Sequence, residues 1–81
     1  MDLDLAKLVA ATLHRIQDQR GYSLRGMAIK LRISPGHLSM IYSDQRSVGI
    51  GVLMAALREF PEMRQAIGFA LLSPSRKRSQ D

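Results

Sequence analysis

Cysteine is absent from the 81-residue sequence, and histidine occurs only twice, as His14 and His37. Without thiolates the chain forms neither a disulfide framework nor a zinc site with cysteine ligands. The seven acidic residues are scattered, mostly near expected helix ends, so they offer no paired general acid and base. We therefore expect neither an enzyme nor a bound metal or cofactor.

Aromatic residues are few, and long apolar runs are missing. Two tyrosines and two phenylalanines form no evident platform of the kind on which RNA-binding proteins stack single-stranded bases. No run reaches about 18 apolar residues, as a membrane-spanning helix requires, and the acidic start MDLDL is unlike a signal peptide. We expect a soluble cytoplasmic protein. Single-stranded RNA binding remains an alternative to the function proposed below, but the few aromatic residues give it little support.

What remains is the composition of one small basic domain. Hydrophobic residues make up 46% of the chain, which is ample for a single core. The net charge is +5, and +2 of it lies in residues 73–81, which contain no apolar side chain. We predict residues 1–72 as the folded domain and 73–81 as a disordered basic tail, either an arm for DNA or a solvated terminus without a role. The charge favours an anionic partner, most often nucleic acid, with simple solubility as the alternative.

The first part of the chain predicts one long helix. Apolar residues recur at helical spacing between about residues 3 and 20. Asp2 or Asp4 is placed to cap this helix, because an aspartate side chain accepts hydrogen bonds from the unpaired N–H groups of a first turn. Gly21 follows as a residue that lets the helix stop.

Two further helices are predicted near the C-terminus. The fourth becomes regular between Ile50 and Val52 and ends at Phe60, because Pro61 disfavours helical geometry in the residue before it. The fifth begins at Pro61, which suits the first position of a helix. Its inward-facing stripe is predicted to consist of Met63, Ala66, Ile67, Ala70 and Leu71.

The stretch from Ser23 to Ser43 predicts two short helices joined by a tight turn. Ser23 and Ser34 are each placed to cap a helix, and Pro35 fits the first position of the second one. Ala28 is small where two crossing helices approach closely, so we expect it to be buried. The pattern is that of a helix-turn-helix.

This pattern resembles the Cro and lambda-repressor-like family of transcriptional regulators over roughly residues 5 to 70. The resemblance implies an all-α, compact five-helix, lambda-repressor-like DNA-binding domain with the helix-turn-helix at helices 2 and 3. It also implies a nucleoid-associated protein of a prokaryote or phage. Arg32 stands where the family usually has glycine, and Tyr42 where it often has glutamate. The residues that carry the resemblance are Met27, Ala28, Leu31, Ile33, Leu38 and Ile41, followed by Ile50, Leu53, Ala56, Leu57 and Phe60.

The resemblance also assigns residues to double-stranded DNA, with helix 3 in the major groove. The residues that it assigns to base contacts include no Arg, Gln or Asn, so direct readout of bases is expected to be sparse. More of the recognition is expected to come from phosphate contacts and DNA shape. The same lack of base-reading side chains supports the alternative, a protein-interaction module that keeps the fold without reading DNA. The base-reading residues are Pro35, Gly36, His37, Ser39 and Met40, and the phosphate-binding residues are Ser23, Arg25, Ser43, Gln45, Arg46 and Ser47.

The fifth helix carries more apolar residues than one inward stripe needs. Phe69 and Leu72 point away from that stripe, and a patch of this kind often marks an interface. We therefore expect a homodimer through Phe69 and Leu72. The alternative is a monomer in which Phe69 folds back over the first helix.

Overall fold

The computed structural model describes residues 4–72, and within them the chain forms five α-helices and no strand. The predicted cap at Asp2, the helix start near residue 3 and the tail 73–81 lie outside the described residues. An all-α fold with five helices is confirmed for the described part. The helices are α1 (Leu5–Arg20), α2 (Leu24–Leu31), α3 (Pro35–Tyr42), α4 (Ile50–Glu59) and α5 (Pro61–Leu72).

α1 is capped at both ends by residues that the sequence marked as candidates, Asp4 and Gly21. The Asp4 carboxylate accepts a hydrogen bond from the Lys7 N–H at 3.1 Å, which caps the first turn. At the other end Gly21 has φ +69°, a left-handed conformation that glycine adopts without strain. The Gly21 and Tyr22 N–H groups donate back to carbonyls of the last turn, so the helix ends in a Schellman motif.

α2 and α3 are each capped by a serine, as predicted. Ser23 Oγ accepts from the Gly26 N–H, and Ser34 Oγ accepts from the His37 N–H, both at 3.0 Å. A Cβ at residue 26 would lie 3.2 Å from Ser23 Oγ, so glycine there leaves room for the cap.

The turn between α2 and α3 contains Arg32 in the left-handed conformation, with φ +62°. Its N–H donates to the Ile29 carbonyl at 3.1 Å, and the Ile33 N–H donates to the Ala28 carbonyl at 3.0 Å. These bonds form a second Schellman motif around a residue that is not glycine.

The core lies between the five helices, each of which contributes residues to it. α1 packs on α3 and α5, α2 packs on α3 and α4, and α4 packs on α5. Ala28 has no exposed surface, as expected for a small residue at a close helix crossing. Thr12 is the buried polar residue among those described, and its hydroxyl donates to the Leu8 carbonyl at 2.7 Å. The apolar core consists of Val9, Leu13, Ile16, Met27, Ala28, Leu31, Leu38, Ile41, Val52, Ala55, Ala56, Phe60, Met63 and Ile67.

α4 and α5 meet at Phe60, which is extended and buried, and Pro61 begins α5 as predicted. The inward stripe of α5 was wrong at Leu71, which is 61% exposed. Each helical residue turns about 100° from the last, so Leu71 lies about 40° beyond Ile67, which already lies at the edge of the core. Ala70 takes the last half-buried position instead.

Arg20 joins the C-terminal end of α1 to the start of α5. Its guanidinium donates to both carboxylate oxygens of Glu62, with the shortest contact at 2.8 Å, and lies 5.3 Å from the centre of the Phe60 ring. The hydrogen bond from Arg20 lowers the pKa of Glu62 below its ordinary value. No helix within residues 4–72 is long and apolar enough to cross a membrane.

Candidate nucleic-acid interface

α3 presents a narrow outward face of small or apolar residues. Leu38 and Ile41 are buried, so the opposite side of the helix faces solvent. Gly36, Ser39 and Met40 lie on that side at spacings of three and four residues, and all three are exposed. Three of the five predicted base-reading residues therefore share one accessible surface.

The other two predicted base-reading residues are half-buried on the flanks of α3. Pro35 is the first helical residue, where its missing N–H leaves no donor unused. His37 lies one step around the helix from Gly36 and lines a groove between α3 and α4. The structure thus separates His37 from the outward face that Ser39 and Met40 occupy.

A contact at the end of α3 fixes its position against α1. The Tyr42 hydroxyl donates to Gln17 Oε1 at 2.8 Å, and its ring meets the edge of the His14 ring at 4.7 Å between centroids. Burial, with a smaller effect from the Asp18 charge, raises the pKa of Tyr42 to about 12. This contact could not be predicted from the sequence, because spacing alone does not say which side chain of α1 lies opposite α3.

Two of the predicted phosphate-binding residues, Ser23 and Arg25, lie at the start of α2. Ser23 uses its oxygen to accept the Gly26 N–H, which leaves the hydroxyl proton available to an outside acceptor. Arg25 is exposed in the first turn of α2 and forms no ion pair within residues 4–72. Both groups are therefore able to donate to an anion without breaking a bond to another side chain.

The predicted phosphate-binding loop after α3 is exposed throughout. The Ser43 hydroxyl already donates to the Met40 carbonyl at 3.3 Å, so it would have to rotate to reach a phosphate. Gln45, Arg46 and Ser47 have no side-chain hydrogen bond within the described part of the chain. Their donors remain available.

Asp44 lies in the middle of this loop, and its contribution was not predicted from the sequence. It adopts φ +64°, and its N–H donates to the Ile41 carbonyl at 3.2 Å, which closes α3. Its carboxylate lies 3.8 Å from Lys7 Nζ of α1, in an exposed ion pair. Lys7 thereby offsets a negative charge beside the cations that we assign to phosphates.

A groove between the α2–α3 turn and α4 gathers positive charge; we call it the arginine groove. Arg32 comes from the turn, Arg46 from the loop after α3, and Arg58 from α4, with His37 on the α3 side. The groove has a volume of about 480 Å³ and no acidic residue in its lining. Arg58 was not among the phosphate-binding residues predicted from the sequence. The remaining lining residues are Leu31, Ile33, Ser47, Gly49, Gly51, Val52 and Ala55.

The spacing within α4 contained the signal that was missed. Gly51, Ala55 and Arg58 are four and then three residues apart, which places them on one helix face.

Among the described residues, no three His, Asp or Glu side chains converge to hold a metal ion. No protein-family model matches the chain, and comparison with curated proteins and with solved structures gives no match. The function is therefore inferred from the geometry and charge of the chain's own residues.

Proposed function

We propose that this protein is a sequence-specific double-stranded DNA-binding regulator, a small repressor of the Cro and lambda-repressor-like kind. The observation that carries the proposal is the exposed face of α3, presented by two capped, closely packed helices and accompanied by arginines that form no ion pair within residues 4–72. α3 has eight residues, so it is about 12 Å long at 1.5 Å per residue. Its diameter with side chains is about 10–12 Å, which suits the B-DNA major groove of about 12 Å width.

Charge on both sides of α3 supports binding to a DNA backbone. Arg25 belongs to the helix before α3, and Arg46 belongs to the loop after it. Both are exposed, so both retain their donors for phosphate oxygens. Contacts of this kind set orientation on the duplex and contribute affinity that falls with salt.

Base readout in this proposal is limited to two side chains on α3. The Ser39 hydroxyl is suited to one hydrogen bond with a base edge, and Met40 is suited to a thymine methyl group. Gly36 adds no side chain but permits close approach, since a Cβ there would meet nothing within 4 Å. Much of the sequence preference is then expected to come from DNA shape and deformability.

We also propose a homodimer through the last turn of α5. Phe69 and Leu72 are 75% and 84% exposed, and Leu71, which was expected to point inward, adds a third exposed apolar side chain. The exposure of Phe69 counts against the alternative in which it folds back over α1. A two-fold dimer would present two copies of α3 to a palindromic site.

A protein-interaction module without DNA readout is the second candidate. Exposed apolar residues on helices other than α5 favour it. Ile29 is 68% exposed on α2, and Ile50 and Met54 are 73% and 53% exposed one turn apart on α4.

Selection from a random duplex library at two salt concentrations separates the two functions. The DNA-binding proposal predicts enrichment of a short motif and affinity that falls steeply with salt. Failure to bind any duplex at about 50 mM salt, a concentration at which nonspecific binding is strong, would reject it in favour of the protein-interaction module.

A further inference from the structure

The arginine groove has a charge composition unlike that of the other large grooves on the described surface. A groove of about 480 Å³ between α1 and α3 contains both Lys7 and Asp44. One of about 490 Å³ between α1 and α5 contains both Arg15 and Glu62. The arginine groove is of equal size, yet its charged lining is wholly cationic.

Among the described residues, the three arginines of this groove also have no partner. Within residues 4–72, none of Arg32, Arg46 and Arg58 forms an ion pair or a side-chain hydrogen bond. Two arginines elsewhere do have partners: Arg20 binds Glu62, and Arg64 donates to the Leu57 carbonyl at 2.6 Å. Three like charges around one concavity repel one another, and an anion placed between them relieves that repulsion.

The backbone beside the arginines is open to a ligand. Gly49 and Gly51 line the groove at the start of α4, and a Cβ at either position would meet nothing within 4 Å. Ser47 and His37 supply further hydrogen-bonding side chains on the same lining. The site therefore combines room, donors and positive charge, which are the requirements for a phosphate.

We propose that the arginine groove binds a phosphate group bearing at least two negative charges, held by Arg32, Arg46 and Arg58. Its volume falls within the range of about 300–1,000 Å³ that is usual for small-ligand sites. A small phosphorylated ligand would act as an effector, a function beyond DNA binding. Backbone phosphates of DNA share the same chemistry, and in that case the inference rests on the proposed function and adds Arg32 and Arg58 to it.

Calorimetric titration of the full chain with inorganic pyrophosphate tests the site. Each guanidinium is expected to contribute charge-assisted hydrogen bonds, so Arg58→Ala should weaken pyrophosphate binding about tenfold or more. Arg32→Gly should weaken it as well, and because glycine suits the left-handed turn, the loss would not reflect unfolding. Arg15→Ala, which removes the same charge from a different groove, should change the affinity by less than about twofold.

Binding of the same variants to a random-sequence duplex identifies the source of the phosphate. If Arg58→Ala weakens both ligands and pyrophosphate competes with DNA, the groove holds backbone phosphates. If it weakens pyrophosphate alone, the groove holds a separate small ligand, and this result stands even if the chain binds no DNA. The inference is overturned if Arg58→Ala affects neither ligand, or if Arg15→Ala affects both equally, since net charge would then explain the binding.

Discussion

Tyr42 on α3 donates a hydrogen bond of 2.8 Å to Gln17 on α1, and this bond joins the presented helix to the longest helix of the bundle. α3 has only eight residues, and isolated helices of that length are unstable in water. Its orientation therefore depends on such contacts and on the burial of Leu38 and Ile41. A tyrosine at a position where the resembled family often has glutamate thus has a structural role.

Tyr42→Phe should lower the free energy of unfolding by about 0.5–1.5 kcal/mol, because one hydrogen bond is lost while the ring contact with His14 remains. The effect should also depend on pH. The pKa of Tyr42 rises from 10.0 to about 12 on folding, so its stabilisation is complete below pH 10 and is lost between about pH 10 and 12. Chemical denaturation from pH 8 to 12 checks this. An equally steep alkaline loss in the Phe variant would show that Tyr42 is not its cause.

Arg32→Gly should stabilise the domain by about 0.5–1 kcal/mol, because glycine adopts φ +62° without the steric cost that a Cβ imposes. Asp44→Gly is the matched control at φ +64°, outside the arginine groove. Its gain should be smaller, since aspartate tolerates this conformation better than arginine does. Thermal unfolding of the three proteins makes the comparison. A destabilised Arg32→Gly protein would mean that the arginine side chain contributes a contact worth more than the strain it imposes.

Ala28→Leu should destabilise the domain by about 1–3 kcal/mol through overpacking, because Ala28 has no exposed surface where α2 meets its neighbours. Ala11→Leu makes the same chemical change at an exposed position of α1 and should be nearly neutral. Urea denaturation measures both. Equal stability of the two variants would contradict the close crossing of α2 and α3 on which the helix-turn-helix proposal depends.

The fold was predictable where local chemistry determines it. Residues that cap or begin a helix act through their own backbone and side-chain groups, so their positions in the sequence were enough to place the helix ends. These residues are the serine caps, Gly21, Pro35 and Pro61. Leu71 was placed wrongly because a stripe pattern does not say how far along α5 the neighbouring helix gives cover.

The candidate site was predictable only in part, for the same reason. Gly36, Ser39 and Met40 share a face because of helical periodicity alone. The arginine groove depends on the approach of the α2–α3 turn to α4, a contact between residues far apart in the sequence. Periodicity within each helix cannot supply that distance, so Arg58 was not predicted to bind phosphate.

Substitutions on and beside α3 should separate base contacts from phosphate contacts. Ser39→Ala and Met40→Ala should lower affinity for a selected site by about 1 kcal/mol each, with little effect on random DNA. Arg46→Ala should weaken binding to all duplexes and reduce the salt slope by about 1. Mobility-shift titrations at several salt concentrations measure these effects, with Gln65→Ala on exposed α5 surface as the control. If all three variants bind as the wild type does, the assigned face is wrong.

Phe69→Ser should shift a dimer towards monomer, because it removes the largest apolar side chain from the exposed last turn of α5. Ile50→Ser is the matched control: Ile50 is 73% exposed, close to the 75% of Phe69, but lies on α4. Sedimentation equilibrium of the three proteins at tens to hundreds of micromolar should show a weaker association constant for Phe69→Ser alone. An equal loss in both variants would indicate general apolar association, and a wild-type monomer throughout that range would remove the support for a dimer. In that case each site would be read by a single α3, and the few base-reading side chains on that helix would give low sequence specificity.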